Sequence, residues 1–151
     1  MGFSLWGLVV GLAVLAPNLL LLRSSPTVPI PTTRAPHPLI WLERAGQASC
    51  LVVPAITAPG VLIWGWTIPA LVALAGYYAL WGRYLLGGRD GTLLYQRWWW
   101  VPIPMAVFPV VVFFCAAAWL SNPWMAVAAA VLAAGHLPVS AMAATSGRTR
   151  R

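Results

Sequence analysis

The sequence predicts an all-α integral membrane bundle of five transmembrane helices, N-terminus outside and C-terminus cytoplasmic, and three observations predict it. The 151 residues are 61% hydrophobic and only 7% charged, where soluble domains carry about a quarter charged residues. The apolar runs approach the roughly 20 residues that span a bilayer. The nine basic residues, all arginine, fall between those runs in an alternating pattern that membrane orientation explains better than nucleic-acid binding. At this length a single domain is the natural expectation, and lipid must cover the apolar surface that one small aqueous core could not hide.

The first span is placed at residues 2–22. A secretory signal needs a basic start and a small-residue cleavage site; Met1 to Trp6 is uncharged and the run ends in four leucines, so this helix is expected to be retained. The loop at 23–37, RSSPTVPIPTTRAPH, is proline-rich and favours extended chain over helix, as a cytoplasmic spacer rather than a docking motif. The uncharged stretch from Ala45 to Gly82 would make a helix of about 57 Å, nearly twice the hydrocarbon thickness, so it must fold back. Ala58-Pro59-Gly60 is the stronger breaker and Trp64-Gly65-Trp66 the competing one, which gives spans at 39–57 and 61–82. Two further spans, 101–120 and 123–145, are separated by the polar turn Ser121-Asn122-Pro123, and a basic tail follows at 146–151.

The arginines test that count independently. Five spans put all nine on one face: Arg23, Arg34 and Arg44 around the first loop, Arg83, Arg89 and Arg97 around the third, and Arg148, Arg150 and Arg151 in the tail. A four-span count would divide them six to three. Charge does not separate a full hairpin over 45–82 from a re-entrant one.

Aromatic residues fit the same frame. Arg97-Trp98-Trp99-Trp100 reads as a cytoplasmic interfacial anchor, and Trp64, Trp66, Trp119 and Trp124 as the opposite belt. Pro17, Pro54, Pro69, Pro109 and Pro138 fall inside the spans, where each frees a carbonyl that neighbouring helices must re-satisfy. Gly7 and Gly11 form a GxxxG pattern suited to close helix contact, favoured here as packing inside the bundle. Cys50 and Cys115 lie in apolar runs and are expected to be free thiols that pack as small hydrophobes.

Ionisable side chains at membrane depth carry functional hypotheses by default. His136 falls about 20 Å from the outer end of the fifth span by helical rise, on the cytoplasmic side of the midplane, with Ser140 on the same face. Glu43 lies near the cytoplasmic end of the second span, with Gln47 and Cys50 along its face. Asn18, Tyr78 and Arg83 come to similar depth. These residues, with Arg44, form a candidate polar cluster in the cytoplasmic half: either a pocket in which His136 or Glu43 handles protons and Arg83 or Arg44 binds an anionic group, or an interhelical network in which an arginine neutralises Glu43. No phosphate-binding glycine loop, metal-spaced Cys/His set or nucleophile elbow is present, and one intramembrane histidine does not suit bis-histidine haem. The sequence points to no cofactor and no metal.

The stretches GYYALWGRYLLGGRD, LLYQRWWWVPIPMAVFPVVVFF and GHLPVS, in that order, with Leu42-Glu43-Arg44-Ala45-Gly46 upstream, resemble an uncharacterised family of small bacterial polytopic membrane proteins. The resemblance covers mainly the C-terminal half. It implies a recurring pattern at Glu43, Arg83 and His136 and no activity; the multi-pass placement in the plasma membrane is the expectation from the apolar runs and the arginines. The functional expectation is therefore a non-enzymatic accessory subunit or small oligomeric transporter, with the lipid bilayer and a homo-oligomer or larger membrane complex as partners and no nucleic acid. The alternative is a membrane enzyme acting on a lipid or isoprenoid-like substrate from the cytoplasmic side.

Overall fold

The computed structural model describes residues 2–30, 33–98 and 100–148. Trp99, Arg150 and Arg151, together with Pro31 and Thr32 of the first loop, lie outside the described residues. The fold is all-α.

Helix α1 spans Leu5–Arg23. Ser4 starts it by accepting the Gly7 N–H at 3.1 Å, the usual role of a serine before the first turn. Pro17 cannot donate to the Ala13 carbonyl, and the helix tightens to 3₁₀ over Ala16–Leu19. The freed Ala13 oxygen accepts the Tyr78 hydroxyl at 2.9 Å. Helix α2, His37–Ile56, begins two residues before the expected boundary because Pro38 suits a first turn.

The connection after α2 uses both turns that the sequence offers. Ala58-Pro59-Gly60 leaves the helix, Trp64–Trp66 forms a 3₁₀ turn, and between them Gly60 and Ile63 donate to the Leu120 and Trp119 carbonyls, each at 2.8 Å. Helix α3 is therefore Thr67–Leu86 rather than 61–82: its first residues are taken up by that pairing, and it continues past Arg83 until Gly88 and Arg89 adopt positive φ. Helix α4, Pro104–Trp119, is shorter than the expected 101–120. Val101 and Trp98 pair backbone to backbone in a turn, and Pro104 fits the first helical position. Helix α5, Pro123–Arg148, is longer than expected and absorbs the start of the tail. Asn122 caps it, accepting the Met125 N–H at 3.1 Å while donating to Thr57 Oγ1 at 2.7 Å.

The connections gather at two ends. At one, Thr27 donates to the Arg89 carbonyl at 3.0 Å, Gly91 to that of Val28 at 3.1 Å, and the Tyr84 hydroxyl to that of Ser24 at 2.9 Å. The first and third loops thus latch together. The other end joins the N-terminal strand of chain, the 57–66 connection and the 120–122 turn, with Gly2 and Ser4 donating to Ile56 and Ala55. The 45–82 stretch consequently runs from the first end of the bundle to the second and back. Arg23, Arg34, Arg89 and Arg97 belong to the first end, and the second has no charged residue among those described.

In this bundle α2 packs on α5 and α1, and α4 on α3 and α5. Gly7 and Gly11 face α2, where a Cβ on Gly7 would overlap the Pro54 carbonyl; the GxxxG pattern is used inside the bundle. Tyr77, Tyr84, Phe113, Ala116, Leu120 and Met125 form the core, while Val9, Leu71, Phe114 and Val127 are exposed. Two helices, α1 over Leu5–Arg23 and α5 over Pro123–Ser146, are long and apolar enough to cross a membrane. Trp6, Trp64 and Trp119 cluster at the uncharged end with ring centroids 5.4–6.2 Å apart. Trp119 is only 8% exposed, so it belongs to the core rather than to a surface belt with Trp66 and Trp124.

Candidate functional site

The site depends on how closely α2 and α5 approach. Gly46 lies against Leu132 and Gly135 against the backbone of Glu43, and a Cβ at either glycine would overlap main-chain atoms. Close approach brings the short carboxylate arm of Glu43 to the next residue on α5, and Glu43 Oε1 sits 2.6 Å from His136 Nδ1. The two side chains are 17% and 23% exposed. The carboxylate holds Nδ1 as a donor, which fixes the ring and leaves Nε2 to act on something else; no described residue bonds Nε2.

His136 lines a half-open cavity of about 220 Å³ near the latched loops. Val14, Leu51, Pro109, Phe113 and Leu132 supply apolar walls, and Ile30, Leu94 and Tyr95 close it from the loops. Its polar lining includes Asn18, Gln47, Tyr77, Tyr95 and Ser140. The Tyr77 hydroxyl donates to Asn18 Oδ1 at 3.2 Å, and Asn18 Nδ2 returns to the Val14 carbonyl at 3.2 Å. The indole N–H of Trp81 is buried beside the Tyr77 hydroxyl without reaching hydrogen-bonding geometry. In the loop, burial, reinforced by the charge of Glu43, pushes the Tyr95 phenol above its ordinary range. It remains a neutral donor at physiological pH.

Of the residues singled out from sequence, Asn18, Gln47, His136 and Ser140 meet at this cavity and Glu43 reaches it through His136. Three do not. Tyr78 is 44% exposed and spends its hydroxyl on Ala13, so its neighbour Tyr77 takes the place expected of it. Arg83 donates to Gln96 Oε1 at 2.7 Å. Arg44 lies over the Trp41 ring at 5.9 Å, a cation–π contact at the exposed rim. Neither arginine lines the cavity or pairs with Glu43, so His136 is the one group there that can carry positive charge among the described residues.

Tyr77, Trp81 and Tyr95 were missed. The first two were legible, since Tyr77, Trp81 and Tyr84 recur at helical spacing on one face of α3. Tyr95 arrives through the 3₁₀ turn Gly91–Tyr95, whose fold-back has no periodic signal. Both cysteines are free and buried, Cys50 in the cavity wall. Among the described residues no three His, Cys, Asp or Glu side chains gather as a metal site would need.

Comparisons with protein-family models, with curated proteins and with solved structures find no match to this chain.

Proposed function

We propose that this chain is a five-pass protein of the plasma membrane, C-terminus cytoplasmic, which admits an uncharged amphiphile to the cavity at its arginine-bearing end and exchanges a proton with it through His136. The membrane placement is supported by exposed apolar residues on the outer faces, by the gathering of arginines at one end, and by two helices of spanning length and apolarity.

One observation carries the functional part: a carboxylate-held imidazole opens onto a half-open, largely apolar cavity that no arginine lines among the described residues. A phosphate or a permanent carboxylate would enter with no fixed counter-charge, at a desolvation penalty of several kcal/mol. A hydroxyl or ester carbonyl would meet neutral donors and one titratable ring. This favours the membrane-enzyme reading, with a lipid or isoprenoid-like substrate entering from the cytoplasmic side, over the accessory-subunit and transporter readings, for which Glu43 and His136 would only join helices.

The test is photo-crosslinking in native membranes with a diazirine-bearing long-chain alcohol ester. Adducts are expected on peptides of α2 and α5, and Ala106→Phe, which fills the cavity from a position 2% exposed, should abolish them. Wild-type protein that takes no probe there, yet purifies with a stoichiometric protein companion, would return the chain to the accessory-subunit reading.

A further inference from the structure

Hydroxyls inside helices ordinarily turn back on their own backbone. Ser49 bonds the Ala45 carbonyl at 2.6 Å, Thr57 that of Val53 at 2.6 Å and Ser146 that of Met142 at 2.9 Å. Ser140 does not. It is 4% exposed, it lines the cavity, and its hydroxyl bonds to no described residue, although a carbonyl of its own helix lies one turn away.

Side chains on a helix lean toward its N-terminus, so Ser140 leans toward the ring of His136, four residues earlier. That ring is held through Nδ1 by Glu43 and has Nε2 uncommitted. Gln47, four residues after Glu43 on the facing helix, adds an amide that also bonds to no described residue. Hydroxyl and imidazole therefore line one cavity a helical turn apart, with no hydrogen bond between them, the imidazole is held by a carboxylate, and the exposed Gln47 brings an N–H donor to the lining from the facing helix.

We infer that Ser140 is the nucleophile of an acyl transfer from a neutral ester of a lipid-like alcohol, with His136 as base, Gln47 as donor to the developing oxyanion and Glu43 as a positioning residue. This rests on reading the cavity as an amphiphile site. Ser140 Oγ bonds the ester carbonyl carbon as its proton passes to His136 Nε2. The carbonyl oxygen gains the electron pair and is met by the Gln47 amide. The C–O bond to the alcohol then breaks, and the alcohol leaves with the proton from His136. Water or a second alcohol attacks the acyl-serine by the same steps in reverse and restores the hydroxyl, with no change in oxidation state.

The experiment uses the full chain in native membrane vesicles with an alkyl fluorophosphonate, which phosphonylates activated serines, read by intact mass and peptide mapping. One adduct on Ser140 is expected. Ser140→Ala should remove it, and His136→Gln should slow it on the order of 100-fold. Glu43→Gln should slow labelling while Glu43→Asp restores part of it, a rescue that a merely structural role would not produce. Thermal unfolding of each variant identifies any that fails to fold; where Ser140→Ala does, Ser140→Gly replaces it, and where His136→Gln does, His136→Asn replaces it.

Labelling of Ser140 that is indifferent to His136 would overturn the proposal. So would wild-type protein with no adduct on Ser140 that still takes the diazirine ester in its cavity, although the amphiphile site would then stand. Loss of both signals in folded wild-type protein would overturn the nucleophile and the site together.

Discussion

Glu43 illustrates what a single residue discloses. Its place in an apolar run singled it out, and its position on α2 one turn before Gln47 sets it against His136, while Gln47 lines the cavity. Its partner was harder to read: Arg44 is adjacent in sequence but about 100° away around a helix, and Arg83 is drawn off by Gln96 from a loop of irregular path. His136 was the remaining ionisable group at that depth. Because the pair is largely buried and charge-assisted when the ring is protonated, Glu43→Gln is expected to cost about 1.5–3 kcal/mol, seen as a lowered unfolding midpoint in detergent. An unchanged midpoint would mean that the pair contributes nothing to cohesion. Tyr78→Phe separates another local effect. It leaves the Ala13 carbonyl, already abandoned by Pro17, without its donor, and about 1 kcal/mol of destabilisation is expected with no change in cavity labelling.

At the scale of elements, helix existence was legible and helix ends were not. Apolar runs and breakers located each helix, yet α3 starts at Thr67 because the residues before it pair with the Trp119 and Leu120 carbonyls and the Ser121 hydroxyl, long-range partners that have no local signature. Prolines explain other boundaries, at Pro38 and Pro104. The small residues told more than expected. GxxxG was visible on α1, whereas Gly46 and Gly135, which set the separation of α2 from α5, are single glycines that announce nothing until the two helices are side by side. Gly135→Val should force that pair apart, costing about 1–3 kcal/mol or more through overpacking, and should abolish probe labelling even where the fold survives. Gly82→Ala, at a position with open space around it, should leave both stability and labelling intact. Comparing the two variants by thermal unfolding and crosslinking checks the assignment.

For the whole molecule, alternation of arginine-bearing and uncharged connections was the strongest sequence signal, and the two latched ends of the fold agree with it. Position along the helices set Asn18, Gln47, His136 and Ser140 at the level where they line one cavity, whereas Tyr78, Arg83 and Arg44 lie outside it. That cavity was not legible, because its volume depends on how five helices and two loops pack. Topology yields a direct prediction. Val61 is 79% exposed and Leu86 90% exposed, while both native thiols are buried. Val61→Cys should react with a membrane-impermeant maleimide on intact cells, and Leu86→Cys only after the membrane is opened. Equal reaction of both on intact cells would reject the five-pass arrangement.

Helix α5 supplies His136 and Ser140 together, and it is the last helix of the 151 residues to leave the ribosome. Its four predecessors already contain Val14, Leu51, Pro109 and Phe113 of the apolar walls, the latch between loops and the carboxylate that waits for the imidazole. During synthesis the cavity is thus a hydrophobic shell before it acquires either group proposed to react, and reactivity is acquired in a single docking event when Gly135 reaches Glu43. A chain released before α5 docks would hold four helices with Glu43 facing an open side, without its counterpart. Docking of α5 and arming of the proposed site would then be one step.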